Sequence, residues 1–245
     1  MDDKQFINKN TITTFCNTNE ALLTKPVSGI VLEFPGLGGG SCLGGLMDFM
    51  SYDTPYTRQY AEAGLVVAYM FVGPWSWMNP GAVRITDLVV DALRDKYQLS
   101  EDSPLIATGG SMGGLGALTY TAKTRHKITA CAAACPCYDL YSAYKHFPRT
   151  IIAALAACDM PFDEAMKSVS PLYRLNDMPK IPYFIVCDEA DEYFDAEGMA
   201  DYVEKLRETT KSSVIYHSLP GVGHGGFTPE VRQAFGDFVV EHGRV

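Results

Sequence analysis

The sequence predicts a doubly wound α/β fold with a mostly parallel sheet, and three observations carry that expectation. Apolar runs alternate with amphipathic helical stretches from Val27 to the C-terminus, the pattern of a parallel sheet with helices on both faces. Three of the runs empty into glycine-rich loops, at 35–40, 109–114 and 220–226, as expected where ligand-facing loops leave the carboxyl ends of strands. A length of 245 residues, with 47% apolar and 20% charged side chains, suits one domain spanning 1–245 with a substantial core.

Taken in order, residues 5–24 are polar and threonine-rich, fitting an edge hairpin or lead-in with a short strand at 11–16. A strand at 27–34 ends at Pro35-Gly36-Leu37-Gly38-Gly39-Gly40, where backbone N–H groups can face a ligand. Residues 54–63 read as a helix stopped by Gly64, and 65–71 as the next buried strand. The loop at 73–80 carries both tryptophans, Trp75 and Trp77, which either cap the core or line a pocket mouth. Apolar Val83, Leu88, Val89, Ala92 and Leu93 then recur at helical spacing.

The run at 105–110, opened by Pro104, reads as a buried strand, and a helix follows to about residue 125. Between them Gly109-Gly110-Ser111-Met112-Gly113 fits G-x-S-x-G. A serine on a sharp strand-to-helix turn needs neighbours without Cβ atoms, and the helix start aims N–H groups at the same spot. Another strand is expected at 128–134. Residues 138–178 are the least regular, with Tyr138, Tyr141, Tyr144, Phe147 and Tyr173 in short helical pieces, and 150–158 apolar nearly all round. This insertion reads as a small lid over the carboxyl edge of the sheet, although such aromatic spacing also fits core packing. The strand at 181–187 ends in Asp188-Glu189-Ala190-Asp191-Glu192, a helix follows at 196–209, and the strand at 213–219 leads to Gly223-His224-Gly225. Thr228 and Pro229 open a closing helix to about 240.

Serine needs a base within hydrogen-bond reach to act as a nucleophile at neutral pH. Of five histidines, His224 sits in a glycine-rich loop just beyond a strand end, whereas His217 lies in a strand and His126, His146 and His242 on polar stretches. An imidazole that takes up a proton also needs a carboxylate to fix its tautomer. Asp191, four residues past Cys187, is placed to supply it; Asp188 is the alternative, or else it holds the loop by accepting from backbone N–H groups. The order Ser111, Asp191, His224 is that of strand-end hydrolase triads.

With Gly-Gly-Ser-Met-Gly-Gly at the elbow, Asp188-Glu189-Ala190-Asp191 at an acidic turn and Gly221-Val222-Gly223-His224 in the last loop, the chain resembles the α/β-hydrolases of the esterase and prolyl-oligopeptidase-like group from about Val27 onward. The resemblance implies an α/β-hydrolase fold with a helical lid insertion at about 138–178. It implies catalytic Ser111, Asp191 and His224, and an oxyanion hole of the Met112 N–H with that of Leu37 or, alternatively, Gly38. Two departures are visible: Pro35-Gly36-Leu37-Gly38 stands where relatives often have His-Gly-Gly, and Asp188 stands where they have glycine.

The reaction expected is hydrolysis of small acyl esters through an acyl-enzyme, with no metal or cofactor required. Trp75, Trp77 and Tyr138 are expected to line an aromatic pocket suited to hydroxycinnamoyl esters or acylated sugars. A peptidase is the nearest alternative; oligopeptidases carry a large N-terminal domain, and nothing of that size precedes Val27. No basic cluster suits coenzyme A, and Ser111 stands where dienelactone-type hydrolases have cysteine. A silent hydrolase fold used for binding is the alternative from another class.

Twenty basic against twenty-nine acidic residues give a net charge of −9, which disfavours nucleic acid and anionic membrane as partners. The expected partner is a small-molecule ester; the sequence specifies no oligomeric state. Met1-Asp2-Asp3-Lys4-Gln5 is polar with no apolar segment behind it, and the seven cysteines are scattered. Cys135-Pro136-Cys137 is the one close pair and lacks a second pair to complete a zinc site. Reduced thiols and a cytoplasmic location are therefore expected.

Overall fold

The structure, a computed structural model, describes residues 3–37, 52–73 and 75–244. Among them the strands are β1 (Cys16–Thr18), β2 (Gly29–Phe34), β3 (Leu65–Met70), β4 (Leu105–Gly110), β5 (Ala130–Ala134), β6 (Tyr183–Asp188) and β7 (Val214–Leu219). They form one sheet in the order β1-β3-β2-β4-β5-β6-β7, with β1 antiparallel to β3 and the other pairs parallel. The chain runs outward from β2 to β3 and then returns past β2 to β4, so the connections diverge between β2 and β4. Loops leaving those two strand ends open a crevice, the usual ligand position in such sheets.

The helices are α1 (Pro55–Glu62), α2 (Pro80–Tyr97), α3 (Met112–Lys123), α4 (Leu140–Tyr144), α5 (Pro148–Leu155), α6 (Phe162–Val169), α7 (Ala196–Thr210) and α8 (Pro229–His242). Strand alternation divides the core. Ile30, Leu32 and Phe34 of β2 face a cluster containing Leu93 of α2, Leu118 of α3 and Val203 of α7. Val31 faces the other side, with Tyr60 of α1 and Phe235, Phe238 and Val239 of α8. Burying side chains of this size stabilises by about 1.5–3 kcal/mol each.

Local chemistry sets the helix starts near the crevice. Thr54 Oγ1 accepts from the Thr57 N–H at 3.2 Å while Thr57 Oγ1 accepts from the Thr54 N–H at 2.7 Å, with Pro55 in the first turn. Asn79, Asp195 and Thr228 cap α2, α7 and α8 in the same manner, each side chain accepting an N–H of the first turn.

Two sequence expectations change. The stretch at 11–16 is not a strand: Ile12–Thr14 is a 3-10 turn, and the strand is β1, two residues beyond it. Thr11 explains the difference, since its hydroxyl donates to the Phe6 carbonyl and accepts the Asn8 N–H, closing a local turn in competition with a sheet ladder. The 150–158 stretch is also not buried all round. Helix α5 buries Ile151, Ala154 and Leu155 but leaves Ile152 46% exposed. The insertion rests on the elbow helix, where Thr119 Oγ1 of α3 donates to the Val169 carbonyl at 2.7 Å.

Two contacts fix the crevice. A Cβ on Gly113 would lie 2.0 Å from the Phe34 carbonyl oxygen, and one on Gly109 would lie 2.3 Å from that of Gly113. The start of α3 is therefore pressed against the ends of β2 and β4 more closely than any side chain permits. At the other end, the buried carboxylate of Asp188 closes β6 onto the loop after β7, with Oδ1 accepting the Ala190 N–H at 2.9 Å and Oδ2 the Val222 N–H at 2.7 Å. Burial is the largest influence on its pKa and pushes it up. The N–H groups of Val222, Ala190, Gly223 and Gly221 outweigh it together and hold the carboxyl below the ordinary range.

Gly113→Ala should destabilise the fold by about 3 kcal/mol or more in urea unfolding. Gly81→Ala, whose new Cβ meets only Asn79 Oδ1 at 3.4 Å, should stay within about 1 kcal/mol of the wild type. Asp188→Asn should lower the urea midpoint at pH 7 by leaving an N–H of the loop without an acceptor. A carboxylate with a depressed folded pKa stabilises fully above the unfolded value of about 3.9 and loses that effect as pH falls through the folded value. The gap between wild type and Asp188→Asn should therefore be widest near neutrality and close below about pH 4.

Candidate active site

Ser111 occupies the turn between β4 and α3 with φ 58° and ψ −123°, a left-handed conformation that costs an L-residue on the order of 1–3 kcal/mol. Its backbone is held on both sides: the Ser111 N–H donates to the Ala134 carbonyl at 2.9 Å, and its carbonyl accepts from Leu115 at 3.1 Å. This geometry lifts the hydroxyl off the strand end. The Met112 N–H, at the first position of α3, belongs to the N–H groups a helix leaves without an internal acceptor. Loop 35–37 passes beside it, since a Cβ on Gly36 would lie 3.8 Å from Ser111 Cβ. Leu37 is half-buried there; Gly38, the alternative oxyanion donor, lies outside the described residues.

His224 comes from the loop after β7, in which Gly221, Gly223 and Gly225 all have positive φ. Such a path suits glycine and folds the loop back over the strand ends. His224 Nε2 lies 2.8 Å from Ser111 Oγ and Nδ1 lies 2.7 Å from Asp191 Oδ2. The other oxygen of Asp191 accepts the N–H groups of Tyr193 at 2.9 Å and Phe194 at 3.1 Å. The Asp191 side chain is 1% exposed and that of His224 17%.

Burial, the largest influence on Asp191, raises its pKa, but the hydrogen bond from His224, the Tyr193 N–H, the imidazole charge and the Phe194 N–H together hold it below the ordinary carboxylate range. An ionised Asp191 only accepts, which assigns the proton to Nδ1 and leaves Nε2 free to accept from the serine hydroxyl. Rings of Tyr193 and Phe194 meet the imidazole edge-on, with centroids 4.9 and 5.4 Å away. Chemically, the arrangement can carry a proton from Ser111 Oγ to His224 while Asp191 balances the charge.

A cavity of about 210 Å³ opens at Ser111 and His224, walled by Tyr56, Tyr60, Phe227 and Phe235, with Glu33 among its lining residues. These aromatics come from α1, α8 and the loop before α8, none of which the sequence reading picked out. Tyr56 and Tyr60, four residues apart on one helix face, were the available signal.

The structure places the three expected substrate contacts away from this cavity. Trp77 is 1% exposed, and its indole N–H donates to Thr150 Oγ1 at 3.1 Å, anchoring the loop after β3 to α5. Tyr138 is buried, stacks on Tyr202 and donates to Asp195 Oδ2 at 2.9 Å. Trp75 is half-buried against the same core cluster. None of the three is among the described residues that line the Ser111 cavity. All three pack on the core cluster where the loop after β3 meets the insertion.

Cys135 adds a feature the sequence reading did not anticipate. Its Sγ and the ligand-capable atoms of Asp191 and His224 lie within 4.8 Å of one another, and Sγ accepts the Gly225 N–H at 3.3 Å. Burial pushes the Cys135 thiol up to about 11, which keeps it protonated and poorly nucleophilic at neutral pH. Six cysteines among the described residues are free thiols. No helix among the described residues is long and apolar enough to cross a membrane.

Among solved structures the chain is similar to a truncated form of a carbohydrate esterase from gut microbiota, at 13% identity and a TM-score of 0.68, covering 90% of this chain and 87% of that one. It is also similar to an S-formylglutathione hydrolase from Agrobacterium tumefaciens, at 17% identity and a TM-score of 0.66, covering 90% and 84%. An acylaminoacyl peptidase in complex with a chloromethyl ketone matches at 14% identity and a TM-score of 0.65, over 89% of this chain but 37% of the peptidase. At these identities the likeness establishes the α/β-hydrolase fold. No curated protein matches the chain. The model of the prolyl oligopeptidase family matches residues 76–241, a stretch that contains Ser111, Asp191 and His224 and two thirds of the sequence, and the chain belongs to that family.

Proposed function

We propose that the protein is a serine hydrolase that cleaves small carboxylic esters through an acyl-enzyme. The observation that carries this reading is the continuous hydrogen-bonded line from Ser111 Oγ through His224 to Asp191, at 2.8 and 2.7 Å. In the proposed cycle Ser111 Oγ attacks the acyl carbon as its proton passes to His224 Nε2, and the oxyanion is held by the N–H groups of Met112 and Leu37. His224 returns the proton to the departing alkoxide, and water, activated by the same imidazole, then releases the acid. Asp191 keeps the imidazole in the required tautomer throughout. Neither half-reaction calls on a metal or a cofactor.

Family membership supports peptide cleavage as a second reading. The chemistry is shared up to the leaving group, which is an amine in a peptide and must be protonated before it departs. An alkoxide from an activated ester makes the smaller demand, and the small Ser111 cavity is sized for a short acyl or alcohol group.

Hydrolysis of p-nitrophenyl acetate and butyrate, beside an aminoacyl p-nitroanilide, separates the two readings. The wild type should turn over the esters, and Ser111→Ala should lower kcat/KM by at least about 10³-fold. Asp191→Asn should cost about 10⁴-fold in kcat, because the amide no longer holds Nδ1 protonated. A fluorophosphonate should label the wild type and not Ser111→Ala. Anilide cleavage would replace the ester reading with the peptidase one, and a folded enzyme inert to esters, anilide and fluorophosphonate would overturn both.

A further inference from the structure

The inner strand β2 carries one charged residue, Glu33, and its position has no structural explanation. Strand alternation turns it to the α1 and α8 face, alongside Val31 in an otherwise apolar layer. Glu33 is half-buried there, and a carboxylate partly withdrawn from water gains from a compensating partner. Among the described residues it has one hydrogen bond, from Tyr52 Oη to Oε1 at 2.8 Å, and no ion pair. Segment 38–51, which joins the strand's loop to Tyr52, contains no lysine, arginine or histidine. Burial pushes the Glu33 carboxyl above its ordinary pKa, only partly offset by Tyr52.

The surroundings of Glu33 are specific. It lines the Ser111 cavity, and it also lines a wider cleft of about 910 Å³ between α1 and the start of α8, with Tyr56 and Phe227 shared by both. The Glu33 backbone pairs with Thr108 of β4, three residues before Ser111, or about 10 Å along the strand. Tyr52, Tyr56 and Phe227 line the wider cleft around it, and Tyr60 joins Tyr56 and Phe227 in the Ser111 cavity. Of the two cations among the described residues that line the wider cleft, Arg58 donates to both oxygens of Asp53 at 2.7 Å and Arg232 lies over the Phe227 ring at 5.4 Å, and neither forms an ion pair with Glu33.

We infer that Glu33 and the tyrosines around it form a subsite for an organic ammonium group on the substrate, beside Ser111. An ammonium supplies the positive charge that the carboxylate lacks, and aromatic faces attract the same cation. An apolar group in this subsite would leave the carboxylate unpaired, and a neutral hydroxyl would gain one ordinary hydrogen bond. The subsite therefore selects esters or amides bearing a compact amine a few atoms from the scissile carbonyl. This deepens the hydrolase reading, because the cation is placed as part of the molecule that Ser111 attacks.

The test uses n-butylammonium and its neutral counterpart 1-butanol as probes, titrated by NMR into the full chain carrying Ser111→Ala. Butylammonium should bind at least tenfold more tightly than 1-butanol, and adding Glu33→Gln should reduce that ratio below threefold. Equal affinity of the two probes for Ser111→Ala would overturn the inference without requiring any variant at Glu33 to fold. Because the titration needs no turnover, it stands or falls separately from the ester reaction. In the active protein butylammonium should also slow fluorophosphonate labelling of Ser111. Ammonium binding that leaves the labelling rate unchanged would place the cation elsewhere and overturn the assignment.

Discussion

The close approach between the start of α3 and the carbonyl of Phe34 is the constraint from which the site follows. Ser111 holds φ 58° and ψ −123° because the chain on either side has no freedom to relax: Gly113 lies flat against the end of β2, and the Ser111 N–H is tied to β5 through Ala134. The strain is supported by sheet hydrogen bonds and by the buried apolar faces of α3, so a locally unfavourable turn persists in a stable fold. Everything else at the site is arranged against that fixed hydroxyl. The loops after β6 and β7 bring Asp191 and His224 to it, and loop 35–37 closes over its other side.

Two aspartates three residues apart divide the work at the end of β6. Asp188 receives backbone N–H groups and joins the two loops, whereas Asp191 receives the imidazole and two N–H groups of its own loop. Both are held ionised against burial, by different donors. The first sets where the histidine loop lies, and the second sets which nitrogen of the imidazole carries the proton. A glycine at 188, as in the pattern this chain resembles, would leave the loop after β7 to other supports.

Much of this was legible in the sequence, for mechanical reasons. The parallel strands read as unbroken apolar runs because both faces are covered. The junction of Ser111, Asp191 and His224 was legible because glycines mark where the backbone must turn sharply, and chain order did the rest. What escaped reading depends on distance. Strand β1, Cys-Asn-Thr, has no hydrophobic pattern and exists through pairing with β3. Asn19 looks like a loop residue but is fully buried, donating to the carbonyls of Thr57 and Leu65 and accepting the N–H of Val67. Trp77 shows the same limit: an aromatic in a loop has no periodicity to say which side of it faces solvent. The aromatic wall beside Ser111 comes instead from α1 and α8, more than 160 residues apart, and only the folded sheet brings them together.

The sulfur of Cys135 lies within 4.8 Å of the ligand-capable atoms of His224 and Asp191, so thiol and imidazole share one small space. A group added to this sulfur would crowd the imidazole without bonding to Ser111. Sensitivity to mercurials or maleimides would therefore not by itself identify a cysteine nucleophile here.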